Sequence, residues 1–312
     1  MRLTLRQLQI FHAVVLRGTT SAAATHVSLS QSATSAALNE LERGLGTRLF
    51  DRVGKRLLVN DSGRALLPAA LAVLEGAHGI EDMFDADGPG ASTDLTIFAS
   101  TTIGNYLLPR VFARFREVNA KARLSLQIGN TRDVVTAVRE FGTDLGFIEG
   151  PCHSPDITVV PWLHDELVIV AAPTHPLALA SKRRRLTKTQ LMGALWLLRE
   201  AGSGTREAVE QALMPHLPNL ESTMILASSE AIKNAVAEGL GVSCLSFAVV
   251  QDLVAAKRLV VLATPLPTLT RRFSLIHHRD KVLSPALRGF VAYCKSFDAP
   301  RGQTKMITRS RT

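Results

Sequence analysis

Three cysteines, Cys152, Cys244 and Cys294, are few, odd in number and widely spaced, with no C-x-x-C pair among them. Both a disulfide scaffold and a structural zinc site are therefore disfavoured. No stretch approaches roughly 18 uncharged apolar residues. The opening MRLTLRQLQIFHAVV is interrupted by Arg6, Gln7, Gln9 and His12, which fits neither a signal peptide nor a spanning helix, so the expected compartment is the cytoplasm and no membrane partner is expected. Nucleotide-phosphate cradles are missing as well. GSG and GLG recur, but neither G-x-G-x-x-G after a strand nor G-x-x-x-x-G-K-[ST] is present. Gly241-Val242-Ser243-Cys244 begins like a nucleophile elbow, yet Leu245 stands where glycine is needed. Cys244 reads as filler inside an apolar strand. His277-His278 and Asp165-Glu166 are neighbours in strand-like runs, so each pair points to opposite faces and cannot readily share one ion or proton. The chain is not expected to be an enzyme, and no catalytic residue, metal or cofactor is assigned.

What is present is positive charge, unevenly placed. The 312 residues suggest two or three domains, and the net charge is +9. Residues 1–64 hold nine basic side chains (Arg2, Arg6, Arg17, Arg43, Arg48, Arg52, Lys55, Arg56, Arg64) against four acids (Glu40, Glu42, Asp51, Asp61), an excess of five. Residues 65–90 have no Lys or Arg and five acids, so the sign reverses and marks a boundary. Arg301, Lys305, Arg309 and Arg311 make a polar tail expected to be disordered. Lys182-Arg183-Arg184-Arg185 reads as a solvated loop before a helix rather than a nucleic-acid patch.

Leu5, Leu8, Phe11 and Val15 share a helical face, and Gly18 closes that helix. Thr19-Thr20-Ser21 caps a second, alanine-rich helix. After a turn at Val27-Ser28-Leu29, Ser30 caps a third helix in which Ala33, Ala37, Leu41 and Leu45 are expected to face inward. Its other face offers Gln31, Ser32, Thr34, Ser35 and Asn39, short hydrogen-bonding side chains suited to base edges in a major groove. A hairpin turning near Gly54 would set Arg52, Lys55 and Arg56 on a basic wing. Together these pieces describe a winged helix-turn-helix, with Thr20 added from the second helix.

The region from LRQLQIF to SGRALL resembles the DNA-binding head of the LysR-type bacterial regulators. The resemblance rests on the SAAA helix, the SLSQ turn, the pair Leu41-Glu42 and the LFDR segment ending at Arg52. Many members carry proline where Ser32 stands. SQSATSAAL and FDRVGKRL are similar to the branch that includes regulators of carbon fixation and sulfur assimilation. The resemblance implies dimerisation through the following helix, a dimer of dimers on an inverted-repeat duplex, and a small-molecule effector, with RNA polymerase as a possible further partner.

RALLPAALAVLEGAHGIEDMF reads as that helix, striped by Leu66, Ala70, Val73 or Leu74, Ala77, and Ile80 or Met83, with a possible kink at Pro68. It should stop before the hinge-like DADGPGAS at 85–92.

From Asp94 the chain alternates apolar strands and helical patterns: LTIFAS (95–100), a helix over 104–118, RLSLQIG (123–129), a helix over 131–141, LGFIEG (145–150), LVIVAAP (167–173), STMILAS (222–228), VSCLSF (242–247), RRFSLIHHR (271–279) and a helix near 284–297. The fold class is α/β: an all-α winged helix-turn-helix over 1–60, a linker helix and hinge over 61–92, and two α/β lobes over 93–300, with the tail at 301–312. Alternation gives the lobes. The resemblance implies that crossing strands join them as in type 2 periplasmic binding proteins, with lobe I near 93–163 and 267–300 and lobe II near 164–266. Hydroxyls and amides gather at four strand-to-helix junctions: Ser100-Thr101-Thr102, Asn130-Thr131, Thr205 and Ser228. Each could simply cap its own helix. At one cleft they would bind a small inorganic anion or carboxylate, and family effector residues fall at matching points. Glu149 is placed at this cleft, where it would either repel large anions or hold an ammonium group. The rival reading is a solute-binding or transferase-like α/β protein whose N-terminal helices only oligomerise.

Overall fold

The computed structural model describes residues 3–54, 56–84, 94–220 and 222–297. Lys55, the hinge at 85–92 and the tail at 301–312 therefore lie outside the described residues, and so do the side chains of 82–84 and 222. The chain forms two compact units, one of residues up to 93 with Arg279–Gly289, the other of residues 94–278 with those from Phe290 onward.

The first unit holds α1 (Leu5–Arg17), α2 (Thr20–His26), α3 (Gln31–Leu45), the hairpin β1 (Phe50–Val53) and β2 (Arg56–Val59), and α4 (Asp61–Phe84). Local chemistry sets its boundaries. Thr4, Thr19 and Ser30 accept first-turn amides, and Gly18 and Gly46 end α1 and α3 with φ of 69° and 71°, where an L side chain would be strained. Leu57 N donates to Gly18 O at 2.8 Å, tying the hairpin to the end of α1. Glu42 accepts from Leu49 N at 2.7 Å, so the Leu41-Glu42 pair contributes one core side chain and one backbone clamp.

Two stripes differ from expectation. In α3 the buried residues are Thr34, Leu38 and Leu41, while Ala33 is exposed and Leu45 is 37% exposed. A strict four-residue repeat drifts about 40° per step around a 3.6-residue helix, so the Ala33-to-Leu45 series cannot stay on one face. In α4, Leu67, Ala70, Leu71 and Leu74 are buried, while Val73 and Ile80 are exposed. The single stripe is in fact two faces.

The second unit runs β3 (Asp94–Ser100), α5 (Thr101–Tyr106), α6 (Leu108–Val118), β4 (Arg123–Gly129), α7 (Thr131–Arg139), β5 (Leu145–Glu149), β6 (Ile157–Ala171), α8 (Pro176–Ser181), α9 (Lys188–Met192), β7 (Leu195–Leu198), α10 (Gly204–Leu213), β8 (Ser222–Ile225), α11 (Ser229–Ala237), β9 (Val242–Ser246), α12 (Phe247–Ala255), β10 (Val260–Val261) and β11 (Leu269–His278), and takes the part of α13 (Pro285–Ser296) from Phe290 onward. Strand order is β4-β3-β5-β11-β6-β9-β7-β8, with β10 beside β6. β3, β4 and β5 run parallel in lobe I, and β7, β8 and β9 run parallel in lobe II. The antiparallel pair β6 and β11 joins them, pairing with β5 on one side and β9 on the other. The strand read from sequence as LVIVAAP begins earlier than expected, at Ile157, across Pro161, which looks like a strand breaker. Lobe II packs round Trp196, Leu198, Leu213 and Cys244 on one side of its sheet and Val170, Ile232 and Val249 on the other. In lobe I the Phe115 ring meets Phe290 of α13 edge-on at 5.0 Å.

Candidate functional site

In the first unit, Gln31, Ser32 and Asn39 are exposed along α3 and Ser35 is half-buried. Thr20 is half-buried and accepts a hydrogen bond from Gln31 Nε2 at 3.1 Å, so α2 fixes the first side chain of α3. Thr34 is a correction. Its side chain is fully buried and donates to Ser30 O at 3.0 Å, one turn back, so it cannot meet a base edge. Ala33 and Ala36 are exposed in its place. Arg52 and Arg56 are exposed on β1 and β2, beside a turn in which Gly54 has φ of 62°.

In the second unit, strand ends and helix starts converge on one buried cluster. β5 delivers Glu149 and β11 delivers Arg271, whose Nη1 donates to Glu149 Oε2 at 2.7 Å. Thr102 N donates to Glu149 Oε1 at 2.6 Å, and the hydroxyls of Thr102 and Thr205 donate to Oε2 at 3.0 and 2.6 Å. Thr102 belongs to lobe I and Thr205 to lobe II, so one carboxylate is gripped from both. The approach is close enough to require glycine at 204, where a Cβ would lie 1.6 Å from Glu149 O. Thr131 Oγ1 donates to the same carbonyl at 3.3 Å.

Arg271 also donates through Nε to Asp165 Oδ2 at 2.7 Å, and Ser246 Oγ donates to Asp165 Oδ1 at 2.7 Å. One buried cation thus meets two buried acids, which titrate in opposite directions. Burial pushes the Glu149 carboxyl up, but Arg271 and the Thr205, Ser100 and Thr102 donors outweigh it and hold the group below the usual carboxylate range. For Asp165 burial wins over Arg271 and Ser246, and its carboxyl is raised. Ser100 Oγ is buried beside Glu149 and makes no hydrogen bond of normal geometry among the described residues. It does not cap α5 either.

A second arginine closes the same end of the cleft. Arg199, also buried, donates through Nη1 to Thr101 and Ser229 at 2.9 Å each and forks onto Glu200 through Nε and Nη2. Lys233 of α11 lies 5.8 Å from the Tyr106 ring centroid of α5, adding a third contact between the lobes. Of the sequence-selected residues, Ser100, Thr101, Thr102, Thr131, Glu149 and Thr205 come together. Asn130 and Ser228 instead cap α7 and α11, accepting from Asp133 N and Ala231 N. Glu149 neither faces solvent nor stands free for an ammonium group, because Arg271 already holds it. Arg271, Asp165, Arg199, Ser229 and Ser246 were missed. Cavities of about 580 Å³ and 520 Å³ adjoin the cluster, the first bordered by Thr131, Arg132, Gly202 and Arg206, the second by Gly150, Thr270, Arg271 and Arg272. Among the described residues no His/Cys/Asp/Glu group could hold a metal ion, and no helix is long and apolar enough to cross a membrane.

Residues 5–64 match the family model for bacterial regulatory helix-turn-helix proteins of the lysR family, and 89–299 match the LysR substrate binding domain. The chain is 53% identical over 301 residues to the uncharacterized HTH-type transcriptional regulator YeiE of Escherichia coli, covering 96% of this chain and 100% of that one. It is 30% identical to the RuBisCO operon transcriptional regulator of Allochromatium vinosum, covering 93% and 95%. A full-length OxyR variant from Pseudomonas aeruginosa shares the fold at a TM-score of 0.76, with 23% identity and 94% of each chain covered. The Synechocystis CcmR regulatory domain, solved in complex with 2-PG, is 29% identical over 65% of this chain and 96% of that one, at a TM-score of 0.57.

Proposed function

The chain belongs to the LysR family, whose members are DNA-binding transcriptional regulators and not enzymes, and from that premise we propose that it binds an inverted-repeat duplex as a dimer of dimers and answers to a small anion taken up between its two lobes. The domains in this reading are 1–60 for DNA, 61–92 for dimerisation and hinge, 93–300 for the effector and 301–312 for the basic tail. It works in the cytoplasm and needs no cofactor. Gln31, Ser32, Ser35 and Asn39 read bases, with Thr20 steadying Gln31. Arg52, Lys55 and Arg56 neutralise phosphates from the wing. Exposed Val73 and Ile80 on α4 supply apolar surface for a second copy.

The observation that supports the effector class is the donor set round Arg271. A guanidinium, two threonine hydroxyls and an amide, drawn from both lobes and a crossing strand, converge on the carboxylate oxygens of Glu149, a donor set suited to an oxyanion. An anion held this way favours one lobe angle over another, and an oligomer would convert that angle into altered spacing of the DNA-binding heads. Two measurements test the reading. Anisotropy on a duplex selected from random sequence should show affinity falling steeply with salt. A thermal-shift panel of inorganic oxyanions, carboxylates, amino acids and sugar phosphates should give stabilisation by an anionic member. If only cationic or neutral compounds stabilise, the effector class is wrong.

A further inference from the structure

The cradle described above already holds an oxyanion. Glu149 takes four donors, one on Oε1 and three on Oε2, at 2.6–3.0 Å. That is close to the full acceptor capacity of a carboxylate. Its donors come from lobe I (Thr102), lobe II (Thr205) and the crossing strand (Arg271), the placement expected for a ligand that draws two lobes together. Ser100 Oγ adds a buried hydroxyl beside the carboxylate, outside normal hydrogen-bond geometry but placed to favour its ionised form.

We propose that Glu149 is a tethered occupant of the oxyanion cradle, so that the lobes close on a carboxylate of their own chain and an exogenous anion enters only by displacing it. The proposal rests on the anion reading of the preceding subsection and sharpens it by naming Glu149 as the residue that sets the threshold for binding. A buried ion pair is a poor device for stability alone, since its desolvation cost offsets most of its attraction. As a gate it has clear uses. A carboxylate on its own side chain competes at high effective concentration, so a simple monocarboxylate without further contacts loses to it. A successful effector must therefore bring further groups besides its oxyanion to outcompete the tethered carboxylate. Gly150, with φ of 97°, follows Glu149 directly and supplies a pivot that no other residue tolerates as well.

The test empties the cradle and offers it acetate and formate, read as melting midpoint of the full chain against chloride at equal ionic strength. Glu149→Ala should melt lower than wild type, and acetate or formate should raise its midpoint saturably by roughly 5 °C or more. Wild type should not respond at the same concentrations, and Glu149→Ala combined with Arg271→Met should lose the response. Should Glu149→Ala fail to fold, Glu149→Gln carries the test, because a neutral amide holds Arg271 less firmly and acetate should then stabilise it more than wild type. If wild type responds as strongly as the variants, the cradle binds anions but Glu149 does not occupy it, and this proposal falls while the anion reading stands. If neither wild type nor any folded variant responds, the cradle is not an oxyanion site and both fall.

Discussion

Asp165 on β6 and Arg271 on β11 are register partners, and Arg271 Nε reaches across the ladder to Asp165 Oδ2 at 2.7 Å. Since these two strands are the ones joining the lobes, the pair fixes the guanidinium at the crossing point, from which its Nη1 turns to Glu149. Arg271 is therefore the side chain on which lobe I, lobe II and the crossover all depend. Replacing it with Met removes the shared cation and leaves two buried acids unpaired. We expect Arg271→Met to lose about 3–5 kcal/mol of stability, measured by urea unfolding. A loss under 1 kcal/mol would mean that the cluster is solvated in solution.

The two acids should respond to pH with opposite sign. Glu149 has a depressed carboxyl, so its contribution is present above the unfolded value near 4.5 and is lost as pH falls through the folded value. The stability deficit of Glu149→Gln should therefore be full at pH 7 and shrink as pH is lowered below about 4.5. Asp165 has a raised carboxyl, so its ionised form is a burden above the folded value that disappears as pH falls towards 3.8. Asp165→Asn, which leaves Arg271 paired with Glu149, should compare most favourably with wild type at neutral pH and lose that advantage in acid. Parallel pH profiles for the two variants would contradict the assignment.

At Gly204 the constraint is steric. A methyl group there would stand 1.6 Å from Glu149 O and 2.5 Å from Thr131 Oγ1. The first of these is backbone and cannot swing away, so α10 must retreat from β5. Gly204→Ala should cost about 3 kcal/mol or more in thermal or urea unfolding, or settle in a lobe-open form with a larger radius in X-ray scattering. A variant indistinguishable from wild type in both would show that this approach is not maintained.

Much of the head is legible in sequence because its signals are local. Thr19 and Ser30 cap within three residues, Gly18 and Gly46 end helices by φ alone, and the hairpin turns at Gly54. Thr102, Thr205 and Glu149 are legible as polar residues at strand ends. Their partners are not. Arg271 meets Asp165 and Glu149 across 106 and 122 residues, and nothing local in RRFSLIHHR says that its first arginine points inward to a counter-charge. The buried Thr34 shows the same limit in the head, since a threonine that bonds its own helix backbone is indistinguishable by type from one offered to DNA.

That difference is testable in the recognition helix. Gln31→Ala should cut the affinity ratio between selected and random duplex by about 1–3 kcal/mol. Thr34→Val keeps the volume and removes only the bond to Ser30 O, so it should cost about 0.5–1.5 kcal/mol of stability and leave the ratio unchanged. Equal effects of the two on discrimination would place Thr34 back at the DNA.

Wing charge should be visible in the salt dependence alone. Arg52 and Arg56 are exposed on neighbouring strands of the hairpin, free to meet the phosphates proposed as their partners. Each phosphate contact contributes about 0.9 to the slope of log affinity against log salt. The Arg52→Ala, Arg56→Ala double variant should thus lower the slope by about 2 per bound head, weakening selected and random duplexes nearly alike. A loss confined to the selected duplex, with the slope unchanged, would reassign the wing to base recognition and leave the head's excess charge without a phosphate partner.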